Sequence, residues 1–240
     1  MEKITQELAR VETAIARMVG ELASQYQDYL QILAGVLRQQ LISAAYQVCT
    51  EIAPEAFLQL SMGQRQSLQG QIRDLATRAG KGLCKLIDLG EGKSSEEMLR
   101  LPSQWGAAIN KALQVAAYDL NGILAGVGVL TEQLPLGLLE NAAKAEVINP
   151  NLNQPNILSI VVEEQEAEGH KPKSKKVAAV YLRLVELEVR YPELGVLAGN
   201  LRSQLNKLKH LEREYRHYQR EHQVAEAVAA WRATWSDEQG

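Results

Sequence analysis

Apolar positions in the first part of the chain recur in a four-three rhythm: Ile4, Leu8, Val11, Ile15, Met18 and Leu22. One apolar residue every 3.5 positions draws a single stripe along a helix, the seam of a coiled coil. After Leu22 the stripe widens to Tyr26, Tyr29, Leu30, Leu33, Val36, Leu37 and Leu41. A broad apolar face packs against more than one neighbour. The first proline is Pro54, so one helix is expected from about Glu2 to Ala53. At 1.5 Å per residue it would be about 75 Å long, far beyond the radius of gyration of about 18 Å for a compact chain of this size. It therefore needs another long helix as partner, in the same chain or in a second copy.

Further elements follow from the same reasoning. Pro54 is placed to open a short helix at its first position. Ser61 with Gln64 reads as a capping box for a helix from Gly63 to about Gly80, with Leu68, Ile72, Leu75 and Ala79 as its stripe, continuing brokenly through Leu83, Leu86 and Ile87. Gly90-Glu91-Gly92-Lys93 reads as a loop. Ser94 with Glu97 is a second capping box, and Pro102 is expected to end that short helix. A long helix from about Ser103 to Leu130 buries Trp105, Ile109, Leu113, Ala116, Leu120, Ile123 and Val127. A shorter one runs from Leu134 to Glu146.

The pattern changes at Val147. NPNLNQPN and ILSIVV are followed by acidic Glu163, Glu164, Glu166 and Glu168, then by basic Lys171, Lys173, Lys175 and Lys176. A block of acids before a block of bases reads as a solvated, mobile linker. Ile157 to Val162 is the one good strand candidate, either an irregular apolar plug or a strand that pairs outside its own fold. Helix is expected again from Lys176 to Tyr191, with Val180, Leu184 and Leu187 on one face. Pro192 opens a last helix reaching about Trp235, whose seam is Leu197, Leu201, Gln204, Leu208, Leu211, Tyr215, Tyr218, His222 and Ala225. ILAGVLRQQL at 32–41, VLAGNLRSQL at 196–205 and ILAGVGVL at 123–130 resemble one another, and their Ala-Gly pairs suggest places where helices cross closely. The expected fold is thus an all-α, elongated helical bundle with long coiled-coil-like helices at both ends. Its divisions are a bundle at 1–146, a linker at 147–176 and a helical hairpin at 177–240.

Composition narrows the function. A net charge of -3 over 240 residues argues against wholesale binding to nucleic acid or acidic membranes. Cys49 and Cys84, unclustered, suit a reducing compartment and make neither a disulfide framework nor a zinc site. The amphipathic, acidic N-terminus carries no signal-peptide core, and the most apolar run, Ile123 to Leu130, is far short of the roughly 20 residues that span a bilayer. A cytoplasmic protein without membrane association is expected.

Candidate chemistry is sparse. Gly92-Lys93-Ser94 ends like a phosphate loop, but Ile87 stands where the motif needs glycine, and Ser94 is better used as a cap. His210, Glu214 and His217 share a helix face at metal-ligand spacing, yet the interleaved Arg213, Arg216 and Arg220 repel a cation. No nucleophile-base pair, paired carboxylates or dinucleotide loop is present, so no catalytic residue, cofactor or metal is assigned. Lys207, Lys209, Arg213, Arg216 and Arg220 with Tyr215 and Tyr218 form the best nucleic-acid candidate, diluted by Glu212, Glu214 and Glu221. Trp231 and Trp235, near Val228, are anchors for docking or for a partner.

The stretch EIAPEAFLQLSMGQRQSLQGQIRDL and the tail HLEREYRHYQREHQVAEAVAAWRATW resemble uncharacterised helical, coiled-coil-like proteins of cyanobacteria. The resemblance covers less than half the chain and implies a bacterial helical protein, with no site residues to carry over. The expected function is a non-enzymatic scaffold or adaptor acting through helix-helix contacts, as a homodimer or with another protein. Leu8, Val11, Ile15, Met18, Leu22, Trp231 and Trp235 would bear the contacts. The alternative is a nucleic-acid-associated regulator that uses the basic C-terminal helix.

Overall fold

The computed structural model describes residues 2–86, 94–146, 156–164 and 173–236. The fold is helical: α1 (Glu2–Gln47), α2 (Pro54–Gln59), α3 (Met62–Lys85), α4 (Ser95–Gly126), α5 (Leu136–Glu146), α6 (Leu184–Arg190) and α7 (Pro192–Ser236), with a hairpin of β1 (Ile157–Glu164) and β2 (Lys173–Val180) before α6. A π-helical turn, Val48–Ile52, prolongs α1. Contacts gather into two units. One comprises Met1–Tyr29, Asp88–Gln104 and Gly195–Gly240; the other comprises Leu30–Ile87 and Trp105–Leu194. The loop expected at Gly90–Lys93, the NPNLNQPN segment and the Glu166–Lys171 run lie outside the described residues.

Local signals work as the chemistry requires. Pro54 is the first residue of α2. The Gln64 backbone N–H donates to Ser61 Oγ (3.3 Å), and the Ser61 N–H donates to Gln64 Oε1 (2.8 Å). Ser94 and Glu97 repeat the same exchange at the start of α4. Each box satisfies two donors that a helix start otherwise leaves orphaned.

In the first unit, the N-terminal half of α1 lies beside α7 of the same chain. Ala14, Arg17 and Met18 line one groove with Ser203, Lys207 and His210. The long helix thus finds its partner within the chain, the outcome the seam alone left open. Val11 and Leu22 on α1, and Leu201, Leu205 and Leu208 on α7, are buried. The first turn of α4 is tied to α7 as well: Ser95 Oγ donates to the buried Glu212 carboxylate, and Arg216 meets Glu96 at 3.5 Å.

The second unit holds the larger core. Leu30, Leu33, Leu37 and Leu41 of α1 are buried, as are Leu68, Ile72 and Leu75 of α3 and Trp105, Ile109, Leu113 and Leu120 of α4. Helix α4 differs from expectation at two points. It runs unbroken through Pro102, although a proline eight residues into a helix removes the bond to the carbonyl four residues back and crowds that carbonyl; the rest of the long helix outweighs that local cost. It also ends at Gly126 rather than Leu130. Gly128 takes a φ of +79°, a left-handed conformation suited to glycine, and its N–H together with that of Val129 caps the last carbonyls of the helix.

The largest departure is the β-hairpin. The expected linker and the expected helix from Lys176 instead contain two antiparallel strands, with Ile157 opposite Val180 and Glu164 opposite Lys173. Ile157–Val162 is therefore a strand paired inside its own fold, not a plug or an unpartnered edge. Of the acidic and basic blocks, the register sets Glu164 opposite Lys173, while Glu163 is opposite Ser174 and Lys175 and Lys176 are opposite Val162 and Val161. Leu158, Val177, Ala179 and Tyr181 form one face and pack on Leu134, Leu139 and Ala143 at and before α5. At the other end, Asn121 of α4 acts as a substitute strand. Its Nδ2 donates to the Val180 carbonyl (2.9 Å) and its Oδ1 accepts from the Val180 N–H (2.8 Å). Asn156, at a φ of +67°, precedes β1 and donates to Gln40 of α1, which in turn donates to the Tyr191 hydroxyl.

The Ala-Gly pairs do not make helix crossings through their own glycines. Gly35, Gly126 and Gly199 have open space where a Cβ would stand. The close approach occurs at Gly80 of α3, where a Cβ would lie 3.3 Å from the Ala34 carbonyl oxygen. Gly35→Ala and Gly199→Ala should each therefore stabilise the protein by about 0.5–1 kcal/mol, the helix preference of alanine over glycine, measurable by urea unfolding. In the same assay Asn121→Ala should destabilise it by about 2–5 kcal/mol, because both buried polar groups of Val180 lose their partners; an effect under about 1 kcal/mol would mean that Asn121 does not hold the strand.

Candidate interaction surface

Helix α7 carries two opposite faces. Leu201 and Leu208 are buried and Tyr215 half-buried in the first unit, which defines its inward row. At about 100° per residue, Val224, Val228, Trp231 and Trp235 fall on the side away from that row and about 120° from half-buried Tyr218, His222 and Ala225, at a height where α7 is exposed from Glu226 to Trp235. These four are exposed, at 51%, 43%, 66% and 63%. The two indoles lie against each other, ring centroids 5.9 Å apart and planes tilted by 40°. Alanines at 225, 227, 229, 230 and 233 fill the positions between, and Glu226 and Arg232 are the charges within the stretch. Four large apolar side chains in register on one exposed face form a patch, unlike singly scattered surface apolar residues.

The other proposed contact residues have different surroundings. Val11 and Leu22 are buried, and Leu8, Ile15 and Met18 half-buried, within the chain. Lys207, Lys209, Arg213, Arg216 and Arg220 are exposed along α7, but Arg216 is turned to Glu96 and Glu212, and acids interrupt the row. His210 and His217 are exposed; His217 Nε2 lies 3.5 Å from Glu221. Among the described residues no three His, Cys, Asp or Glu side chains gather to hold a metal ion. His222 is half-buried with Nδ1 3.6 Å from Glu226, consistent with a polar residue at the margin of the seam.

A cleft of about 310 Å³ opens beside the π-helical turn, lined by Ile42, Cys49, Phe57, Leu68 and Ile72, with Arg73 among the polar residues. The Thr50 hydroxyl in its wall is already donated to the Tyr46 carbonyl (2.8 Å). Burial pushes the Cys49 thiol up to about 11, so at neutral pH it is almost wholly protonated and a poor nucleophile. Cys84, by contrast, is exposed.

Among the described residues no helix is long and apolar enough to cross a membrane. No family model, curated protein or solved structure matches this chain. The paired tryptophans were visible in the sequence. Val228 already stood on one face with them in the sequence; the structure adds Val224 and shows all four exposed.

At pH 7 a maleimide should label Cys84 quickly and Cys49 slowly or only after unfolding. The Cys49 rate should climb about tenfold per pH unit up to about 11, as the thiolate forms. Peptide mapping after timed labelling measures both sites; equal rates at pH 7 would show that Cys49 is neither buried nor suppressed.

Proposed function

We propose that the protein is a non-enzymatic scaffold or adaptor that acts through helix-helix contacts, with the exposed C-terminal end of α7 as its contact surface. The observation that carries this reading is the stripe Val224, Val228, Trp231 and Trp235, exposed on a side that α7 does not bury in its own chain. Spacing of i, i+4, i+7 and i+11 is how a helix presents anchors to a groove or to another helix. Tryptophans are favoured anchors because one indole removes a large apolar area from water at low entropic cost. The partner is a protein, another copy included. Two free cysteines and the absence of a membrane-crossing helix among the described residues support action in the cytoplasm.

The seam of α1 serves the fold in this proposal. Val11 and Leu22 are buried against their own chain, leaving α7 to meet the partner. The ion pairs of Arg216 with Glu96 and Glu212 weigh against the basic helix as a nucleic-acid surface, since charges neutralised within the protein release few counterions from phosphate.

Co-purification from the cells that make the protein, with mass spectrometry, tests this. Proteins recovered with the wild type should be lost with Trp231→Ala/Trp235→Ala. Retention of the same proteins would remove α7 as the contact surface. Salt-dependent recovery of DNA or RNA, abolished by reversing Arg213, Arg216 and Arg220, would replace the proposal with the nucleic-acid regulator.

A further inference from the structure

We infer that the occupant of the α7 stripe is the same stripe of a second copy, packed antiparallel, so that the chain dimerises through the ends of its C-terminal helices. The inference rests on the proposal that this end of α7 is a contact surface, and it adds what binds there.

Steps of four, three and four residues from Val224 to Trp235 are the a and d positions of a heptad, the geometry with which two helices interlock. In an antiparallel pair with its two-fold axis between Ala229 and Ala230, Val224 meets the partner's Trp235 and Val228 meets the partner's Trp231. Every layer then joins one small and one large side chain, the alternation that fills an interface without voids. A parallel pair would stack valine on valine and tryptophan on tryptophan, leaving gaps in two layers and crowding the other two.

Charge does not oppose the pairing: at about 100° per residue Glu226 lies on the far side of α7 from the stripe, beside His222 at 3.6 Å, so no carboxylate is buried between the two helices. The intervening alanines let the two backbones approach. One patch meeting itself about a two-fold axis also closes the assembly at two copies. Because the stripe faces away from the inward row of α7, a second helix can lie on it without displacing the packing of Leu201, Leu205 and Leu208.

The area sets the strength. With about two-thirds of each indole and half of each valine exposed, four indoles at about 150–250 Å² each and four valines leave about 600–900 Å² to bury, the size of a weak, transient contact. The dimer should accordingly be reversible, with a dissociation constant on the order of micromolar.

Sedimentation velocity of the purified full chain from about 1 to 200 μM tests the inference. The wild type should pass from monomer to dimer across this range, and Trp231→Ala/Trp235→Ala should weaken association by at least about 100-fold. Both tryptophans are exposed, so the variant's helical circular dichroism and melting temperature should match the wild type at low concentration. For orientation, a nitroxide on Gln223→Cys in a Cys84→Ser background should read about 20–25 Å between labels in the antiparallel pair and about 10–15 Å in a parallel one. A wild type that stays monomeric at 200 μM, a dimer that survives loss of both tryptophans, or the shorter label distance would each overturn the inference. If the wild type is monomeric and the tryptophan variant still loses its co-purifying proteins, the adaptor proposal stands with a different occupant. If the wild type dimerises as expected but those proteins persist with the variant, the dimer stands and the adaptor surface lies elsewhere.

Discussion

The base of the hairpin in the second unit is held by the need to satisfy buried backbone polar groups. The hairpin inserts its base among helices, where Ile157 and Val180 are nearly inaccessible to water. Strand β2 has a neighbour on one side only, and the N–H and C=O of Val180 on the other side face protein. Asn121 supplies both missing partners from one side chain. An unpaired buried amide is costly to fold, so this single residue of α4 permits a strand to end inside a helical core. Asn156 and Gln40 join the start of β1 to α1, and Gln40 also joins α1 to the segment after α6 through Tyr191. Three amides thus tie the hairpin to helices far away in sequence.

The first unit depends on a different economy of surfaces. Helix α7 buries leucines on one side along the part that lies beside α1, and carries an apolar stripe on the opposite side at its far end. A helix that is apolar on one side is explained by its own fold. A helix apolar on two sides, at different heights, needs a second neighbour. That requirement underlies the proposed adaptor role and its self-pairing form, and it is independent of any catalytic group. The one buried nucleophile in the described core, Cys49, is suppressed by the apolar surroundings that hold it.

Much of the helical plan was legible. The apolar period located α1, α3, α4 and α7, and the two Ser-x-x-Gln/Glu boxes and Pro54 marked starts that are realised atom for atom. What misled was local in kind. Lys-Ser-Lys-Lys-Val-Ala-Ala-Val is rich in good helix formers and charges, so neither propensity nor period marks it as a strand; its pairing with Ile157–Glu164 does. Pro102 reads as a breaker, yet α4 continues through it, because a long, buried helix can outweigh the loss of one interior bond. The glycines of the Ala-Gly pairs read as crossing points, but the close approach belongs to Gly80, on the helix that packs against Ala34. For the candidate surface, Trp231 and Trp235 stood out as anchors, while Val224 gained its meaning only from the face that α7 turns inward.

The sequence by itself determined that this is a helical protein with long apolar seams at both ends, because hydrophobic period and capping chemistry act over a few residues and need no knowledge of the rest of the chain. Only the tertiary structure decided that the first seam is spent on α7 of the same chain, that the acid-to-base stretch folds back into strands, and that the tail of α7 keeps an apolar face to solvent. Those three outcomes turn on which distant surfaces meet. A stripe reports that it must be buried and carries no information on what buries it.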